Sequence, residues 1–388
     1  MSAPGLPYAL LAELTHRCPL GCPYCSNPVE LARAGDELTT DEWRRVIDEA
    51  AALGVLQIHF SGGEPTVRRD LAPLIGHASA AGLYANLITS AVLLDEARLA
   101  EFAAAGLKHV QISFQDSAAQ NADRIAGFAG HDKKLRAARL VRAAGLALTA
   151  NLVVHRQNLD RLEALLAMAV ELGARRIEVA NAQYHGWALR NRAALMPTRA
   201  QVERAGATVA AARERLKGVA VIDYVAPDYH ARRPKACMGG WARQFLTVTP
   251  DGLVLPCQAA QSIAGMTFDS VRDGSLAEIW ERSPAFERFR GTAWMAEPCR
   301  SCDRREIDWG GCRCQAFALT GDAAATDPAC ALSGDHTAML AAAEAEAAAA
   351  APDFVYRRYG VASAPPGDAR ASATSPVKGE VNIGARSD

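Results

Sequence analysis

The chain contains 388 residues, of which 50% are hydrophobic and 22% are charged, and its formal net charge at pH 7 is −1. This composition is typical of a globular protein with a large and a smaller domain, and it argues against a mainly electrostatic binder of nucleic acid or membranes. No apolar run is long enough to span a bilayer, and the N-terminus lacks the basic and apolar regions of a signal peptide. We therefore expect a reducing, cytoplasmic location.

Six short β-rich runs alternate with helical patterns in the first part of the chain. They cover residues 8–14, 55–60, 83–88, 107–114, 146–154 and 174–179. Every run after the first follows a glycine that suits the left-handed C-cap of a helix. These glycines are Gly54, Gly82, Gly106, Gly145 and Gly173. The alternation predicts a parallel sheet, and six units fall short of the eight in a closed barrel. We predict an α/β fold with a partial (β/α)6 TIM-type barrel over residues 1–220; a doubly wound sheet is the alternative.

The sequence also predicts where two of the helices begin. Thr39 and Glu42 form a capping box, in which each side chain accepts a hydrogen bond from the backbone of the other. Thr198 follows a proline and can start the sixth helix.

The first cysteine group directly follows the first strand. Cys18, Cys22 and Cys25 form a C-x3-C-x2-C loop. Three soft thiolates on one loop suit an iron–sulfur cluster, whereas a structural zinc site would need a fourth ligand close by. A [4Fe-4S] cluster on three thiolates keeps one iron open to a further ligand.

The second strand ends in Ser-Gly-Gly-Glu-Pro at residues 61–65. Gly62 and Gly63 let the backbone approach a ligand closely, and Glu64 can pair with an ammonium group. Alone, this motif would be interpreted as a turn. At the strand end next to the cysteine loop, it is a candidate binding segment.

Composition changes after Gly218. Residues 221–336 carry the other seven cysteines, many glycines and little periodicity, so metals are expected to stabilise this second domain. Disulfides are the alternative, but they fit secreted chains better, and the close spacing of several of these cysteines favours metal ligation. Residues 337–361 are predicted to be a C-terminal helical segment, and 362–388 a disordered tail.

The cysteine loop and the Gly-Gly-Glu-Pro strand end together resemble the radical S-adenosylmethionine (SAM) superfamily over about residues 8–218. The resemblance implies a [4Fe-4S] cluster whose open iron is chelated by the amino and carboxylate groups of SAM. It also implies an aromatic contact with the adenine. The implied SAM-binding residues are Tyr24, Gly62, Gly63, Glu64, Pro65, Ser113, Gln115 and Asn151. The last three could instead be structural polar residues at strand ends.

The cysteine-rich second half resembles the SPASM domain, which holds two auxiliary iron–sulfur clusters in radical SAM enzymes that modify peptides. Asp308 stands where the usual pattern C-x2-C-x5-C-x3-C has its third cysteine. A carboxylate is a harder ligand than a thiolate, so it should make its iron more labile and alter the cluster potential. The implied ligand sets are Cys237, Cys257, Cys312 and Cys314 for one cluster, and Cys299, Cys302, Asp308 and Cys330 for the other. A zinc ribbon would explain Cys299 and Cys302 but not the interleaved partners, and four ligands can hold either [2Fe-2S] or [4Fe-4S].

The segments at 22–28, 183–189 and 237–241, together with Asp308, resemble the PqqA peptide cyclases of pyrroloquinoline quinone biosynthesis. The resemblance implies a carbon–carbon bond between a glutamate γ-carbon and a tyrosine ring carbon of a PqqA-like precursor peptide. It also implies an external low-potential electron donor. A separate PqqD-like peptide chaperone is expected, because little sequence precedes Cys18 to capture a peptide.

Two other classes of protein remain alternatives. Another SPASM enzyme, forming thioethers or maturing sulfatases, would share every cluster. A non-enzymatic iron–sulfur carrier or zinc scaffold would lack a use for the SAM motif. The proton acceptor of the reaction is not identified; the candidates are His185 and Tyr184, which could instead pack the junction between the two halves.

Overall fold

The computed structural model describes residues 5–359. The predicted disordered tail at 362–388 lies outside the described residues. Within 5–359, no helix has the length and apolar character needed to cross a membrane.

Nine strands and fourteen α-helices make up the described part of the chain. The strands are β1 (Ala9–Glu13), β2 (Gln57–Ser61), β3 (Tyr84–Thr89), β4 (His109–Phe114), β5 (Ala147–Val154), β6 (Arg176–Asn181), β7 (Val221–Val225), β8 (Phe245–Val248) and β9 (Val254–Leu255). The helices are α1 (Thr40–Ala52), α2 (Leu71–Ala80), α3 (Glu96–Ala105), α4 (Ala119–Ala126), α5 (His131–Ala143), α6 (Leu162–Glu171), α7 (Gly186–Arg190), α8 (Arg192–Leu195), α9 (Arg199–Arg215), α10 (Leu276–Arg282), α11 (Pro284–Glu287), α12 (Arg305–Asp308), α13 (Arg313–Thr320) and α14 (His336–Ala348).

All nine strands belong to one sheet. Strands β1 to β7 lie side by side in chain order and are parallel, and β8 joins the other side of β1, also in parallel. β9 is the antiparallel partner of β8, so β7 and β9 form the two edges. A doubly wound sheet reverses its strand order at a switch point, and the order from β1 to β7 has no reversal. The doubly wound alternative is therefore excluded, and the partial barrel is confirmed.

The two faces of the sheet differ in polarity. Aligned residues of parallel neighbours share a face, so Ser113, Asn151 and Glu178 follow one another across β4, β5 and β6. The same face carries His59 and Asn86, whose side chains are joined at 2.6 Å. The concave face thus offers polar groups to a ligand.

The opposite face of the sheet packs against helices. Ile58 and Phe60 of β2 are fully buried in one apolar cluster with Trp43 and Ile47 of α1. The alternation of buried apolar and polar residues along β2 follows from the two-residue repeat of a strand. This core holds the strand ends, and hence the loops after them, in place.

All six predicted strands are confirmed, but three further strands were missed. β7 extends the barrel by one strand, and β8 and β9 come from the cysteine-rich half of the chain. The sheet therefore continues across the boundary that the sequence placed at residue 220. β8 and β9 contain only four and two residues, so neither has a periodicity strong enough to identify it.

The predicted helix ends are confirmed as well. Thr39 and Glu42 form the complete capping box, and Thr198 forms a second one with Gln201. Gly106, which ends α3, has φ 106°, a conformation that a side chain would disfavour.

The C-terminal segment is only partly helical. α14 ends at Ala348, and residues 350–359, here called the C-terminal strap, contain no helix. The prediction of a helical segment over 337–361 is therefore wrong for residues 350–359. Pro352 cannot continue a helix, and the strap packs instead on the barrel loops.

Candidate cofactor cavity and cysteine clusters

The three cysteines of the first loop open onto one cavity at the C-terminal ends of β1 to β4. Cys18, Cys22 and Cys25 all line it. Other lining residues include Tyr24, Gly62, Gly63, Ser90, Ser113 and Arg357. The structure thus brings together residues that the sequence predicted on three separate strand ends.

The thiols of the first cysteine loop lie in a buried environment. Burial, with a smaller contribution from the charge of Glu64, raises the pKa of the Cys18 thiol to about 12. Burial also raises the pKa of Cys25. Such thiols keep their protons unless a metal displaces them, because bound iron reverses the electrostatic balance. The donor set therefore fits an iron–sulfur cluster.

Gly62 and Gly63 approach the protein's own backbone closely. A Cβ at Gly62, where φ is 125°, would overlap the carbonyl oxygen of Thr15, and one at Gly63 would lie 2.6 Å from that of His16. The Gly63 amide donates to Thr15 O at 2.6 Å. Both positions thus require glycine because the end of β2 packs closely against the start of the cysteine loop. The sequence did not reveal this intramolecular reason.

Glu64 is fully buried and already holds several hydrogen bonds. One carboxylate oxygen accepts from the backbone and hydroxyl of Thr66 and from the Thr89 hydroxyl at 2.6 Å. The other accepts from the amide of Ser90 at 2.7 Å and from its hydroxyl. The carboxylate therefore joins the ends of β2 and β3. Direct pairing with an ammonium group, as expected from the sequence, would require these bonds to rearrange.

A chain of hydrogen bonds runs from the cysteine loop to a buried lysine. The Gln115 amide donates to the Tyr24 hydroxyl at 2.5 Å, and Lys134 Nζ donates to the Gln115 carbonyl oxygen at 2.5 Å and to Ser113 O at 3.1 Å. The pKa of Lys134 is lowered by burial, and this effect is larger than the opposite effect of nearby Cys22, Glu64 and Cys18. Tyr24 and Gln115 are thus held rigidly at the cavity.

The remaining predicted SAM-binding residues differ in position. Ser113 lines the cavity, and Asn151 pairs with it in register on the next strand. The side-chain oxygen of Asn151 is buried without a partner among the described residues, so it can accept a hydrogen bond from a ligand. Pro65 is buried and begins a short 3₁₀ turn at 65–67, where it shapes the backbone.

The loop at 183–189 joins two of the cysteine groups. Its Ala188 amide donates to Cys25 O at 3.0 Å. Gly186 has φ 53° and lies so close to Asn27 that a Cβ would overlap the Asn27 carbonyl oxygen. On the other side of the loop, the His185 imidazole lies against the Cys312 thiol.

The two candidate proton acceptors have different surroundings. The pKa of His185 is raised. Burial lowers it, but the contact with Cys312 and the charges of Cys257 and Asp228 together have a larger opposite effect. Tyr184 is buried in an apolar cluster, and its hydroxyl donates to the Met196 sulfur at 3.6 Å. Burial raises the pKa of Tyr184. The structure therefore does not bring Tyr184 to the cavity.

Four cysteines of the second half come together beside His185. The thiol of Cys237 contacts those of Cys257 and Cys312, and Cys314 contacts the same two. This is the first ligand set that the SPASM resemblance implied. All four lie at the junction between the barrel and the cysteine-rich half.

The second implied set lines a separate cavity. Cys299, Cys302, Asp308 and Cys330 all line it. Asp308 is mostly buried, and its carboxylate lies 3.5 Å from Arg304 Nε and accepts from the Gly310 amide at 3.2 Å. The carboxylate thus faces the same space as the three thiols.

None of the ten cysteines forms a disulfide. Within residues 5–359, no three His, Cys, Asp or Glu side chains are grouped as ligands of a single metal ion. The chemistry of the three cysteine groups, which contain three thiols, four thiols, and three thiols with one carboxylate, fits polynuclear clusters.

Two buried cations at the first cavity were missed by sequence reasoning. Lys134 lies on the buried side of α5 with Ala137, Ala138 and Val141, so a charged residue within an apolar stripe was the available signal. Arg357 comes from the C-terminal strap, and no local pattern indicates that the chain returns to the cavity there.

The chain is similar to proteins of known families. It matches the model of the Radical SAM superfamily over residues 12–169 and that of SPASM, an iron–sulfur cluster-binding domain, over residues 237–303. It is 62% identical over 360 residues to a PqqA peptide cyclase of Granulibacter bethesdensis, covering 92% of this chain and 96% of that one. It is 64% identical over 357 residues to a PqqA peptide cyclase of Rhodopseudomonas palustris, covering 92% and 95%.

Solved structures share the fold. Streptococcus suis SuiB bound to S-adenosylmethionine superposes with a TM-score of 0.67 at 19% identity, over 81% of this chain and 75% of that one. The anSMEcpe structure with bound AdoMet superposes with a TM-score of 0.62 at 15% identity, over 88% and 92%. At these identities the likeness concerns the fold alone.

Proposed function

Since this chain belongs to the family of PqqA peptide cyclases, radical SAM enzymes with a SPASM domain, we propose that it cyclises a PqqA-like precursor peptide. The proposed reaction forms a carbon–carbon bond between a glutamate γ-carbon and a tyrosine ring carbon. The observation that carries this proposal is a single cavity. It is lined by the three cysteines Cys18, Cys22 and Cys25 together with Gly62, Gly63 and Ser113.

The first cavity is the proposed site of SAM and its cluster. The three loop cysteines would hold the cluster, and bound SAM would supply a 5′-deoxyadenosyl radical that abstracts a hydrogen atom. The residues proposed to bind SAM are Tyr24, Gly62, Gly63, Glu64, Pro65, Ser113, Gln115 and Asn151. The Lys134–Gln115–Tyr24 chain fixes the aromatic ring that would face the adenine. Asn151 offers an unpaired acceptor on the concave face.

The cysteine-rich half would hold two auxiliary clusters on the ligand sets given above. Closing the new bond requires the tyrosine ring to lose one proton and one electron, and an auxiliary cluster would supply an electron acceptor. Of the two candidate proton acceptors, His185 is the better placed, because Tyr184 is enclosed by apolar side chains. Asp228, buried and 3.2 Å from Lys235 Nζ, lies in the same region as His185.

Three partners complete the proposal: the PqqA-like peptide, a PqqD-like chaperone that delivers it, and an external low-potential electron donor. The edge strand β7 supports docking by strand addition, because an edge strand has unpaired backbone groups and Val221 on it is exposed.

The proposed function is tested by combining the anaerobically reconstituted chain, SAM, reductant, chaperone and a PqqA-like peptide. We expect a product lighter by two hydrogens, with the glutamate and tyrosine linked through carbon and the phenol free. A two-hydrogen loss located at a cysteine thioether would identify another kind of SPASM enzyme. Equal peptide affinity with and without the chaperone would contradict the chaperone proposal alone.

A further inference from the structure

The C-terminal strap is anchored to the first cavity by the protein's own hydrogen bonds. The Arg357 amide donates to Gly21 O, in the cysteine loop, at 2.9 Å. The Val355 amide donates to the side chain of Asn191 at 2.7 Å, and the Asn191 amide returns a bond of 2.9 Å to Val355 O. Tyr356 donates to Arg124 O at 2.7 Å. The strap therefore has a defined register on the loops around the cavity.

This register inserts one arginine into the cavity. The Arg357 side chain lines the cavity together with the three loop cysteines, and the residue is 4% exposed. Its Nη2 donates to the carbonyl oxygen of His16. Its Nε and Nη1 are buried and have no hydrogen-bond partner among the described residues. A buried guanidinium with two free donors is costly unless an acceptor enters the same space.

The other charged groups at the cavity do not supply that acceptor. Glu64 is occupied by Thr66, Thr89 and Ser90, and Lys134 is occupied by Gln115 and Ser113. An anionic acceptor would satisfy this guanidinium most strongly, since charge-assisted hydrogen bonds are the strong ones.

We propose that Arg357 is a cofactor-binding residue, whose free Nε and Nη1 donors bind an anionic acceptor of the cofactors held at Cys18, Cys22 and Cys25. The acceptor is a sulfur of the cluster or the carboxylate of SAM. The strap thereby closes the cavity and makes cofactor binding depend on the C-terminus. This inference rests on the proposed radical SAM function, but not on the identity of the peptide.

The test compares Arg357→Met with Arg358→Met, which removes the exposed neighbouring arginine of the same strap. Both full-length chains are reconstituted anaerobically. The measurements are iron content, the midpoint potential of the cluster whose paramagnetic resonance signal changes on SAM addition, and the SAM dissociation constant. None of them requires the peptide.

The two sources of the anionic acceptor give different results. If the donors face cluster sulfur, Arg357→Met makes the midpoint more negative, because a cation near the cluster favours the reduced form. If they face the SAM carboxylate, the SAM dissociation constant rises by roughly tenfold to hundredfold, the size expected for a hydrogen bond to a charged group, whereas donors that face only cluster sulfur leave it at the parent value. Arg358→Met should match the parent in both measurements.

Parent-like midpoint and SAM affinity in Arg357→Met would overturn the proposal. If that variant does not fold, Arg357→Gln, which keeps a neutral donor, is measured in its place, and parent-like values there overturn the proposal equally. A parent chain that forms no 5′-deoxyadenosine would instead contradict the proposed function itself.

Discussion

The amide of Ala188 donates a hydrogen bond of 3.0 Å to the carbonyl oxygen of Cys25. The loop that follows β6 is thereby attached to the cysteine loop that follows β1. His185, which precedes α7, and Gly186, which begins it, are held in opposite directions, because His185 lies against Cys312 and Gly186 lies against Asn27. This single loop therefore couples the cavity of the barrel to the first cysteine set of the second half.

Gly186→Ala should weaken this coupling. The new Cβ would overlap the Asn27 carbonyl oxygen, and φ 53° disfavours a side chain, so we expect a loss of about 1–3 kcal/mol in unfolding free energy. Urea unfolding and iron content measure the effect. Gly82→Ala is the matched control, because Gly82 also has a positive φ but nothing lies within 4 Å of its Cβ position. Equal losses in both variants would show that backbone strain alone is responsible.

The Cys18→Ala/Cys22→Ala/Cys25→Ala variant should separate the first cluster from the auxiliary ones. These three thiols share a cavity that contains none of the other seven cysteines. We expect the variant to keep auxiliary cluster absorbance but to form no 5′-deoxyadenosine from SAM. Nucleoside formation at the parent rate, measured by chromatography, would refute the assignment of this cavity.

Asp308→Cys should retain a cluster whose visible spectrum or midpoint potential is altered, because a thiolate is a softer ligand than a carboxylate. Asp308 lines the same cavity as Cys299, Cys302 and Cys330. Glu306→Gln, on an exposed residue of the same short helix, is the control and should leave both measurements unchanged. An unchanged spectrum and potential in Asp308→Cys would indicate that Asp308 is not a ligand.

Glu64→Gln should destabilise the ends of β2 and β3. The amide NH2 would face the hydroxyl and amide donors of Thr66, Thr89 or Ser90, leaving buried donors unpaired. We expect a loss of about 1–3 kcal/mol in unfolding free energy, together with weaker SAM binding. The exposed Glu101→Gln is the control. Weaker SAM binding at unchanged stability would instead support direct contact between Glu64 and SAM.

His155 should make stability depend on pH. Burial, with a smaller effect of Arg124, lowers the pKa of His155 from 6.5 to about 3. The unfolded chain therefore binds a proton first, so this contribution is complete above pH 6.5 and is lost as the pH falls toward 3. At pH 5 the loss is at most about 2 kcal/mol. His155→Gln should remove it, and parallel stability curves of the two chains between pH 8 and pH 5 would contradict this prediction.

Much of the protein could be predicted from short stretches of sequence. The cysteine loop, the glycine-rich strand end and six strands are each identified by neighbouring residues, because ligand spacing, C-cap glycines and strand periodicity are local. Lys134 was within reach of the same reasoning, since it interrupts the apolar stripe of α5.

Other features depend on contacts between distant parts of the chain. The joining of β8 to β1, the contact of His185 with Cys312 and the return of Arg357 to the cavity have no local signature. The sequence by itself determined the chemistry of the ligands and the positions of the first six strands along the chain. Only the tertiary structure decided which groups share a cavity and which donors remain unpaired, because packing and chain return, rather than the neighbours of a residue, select its partners.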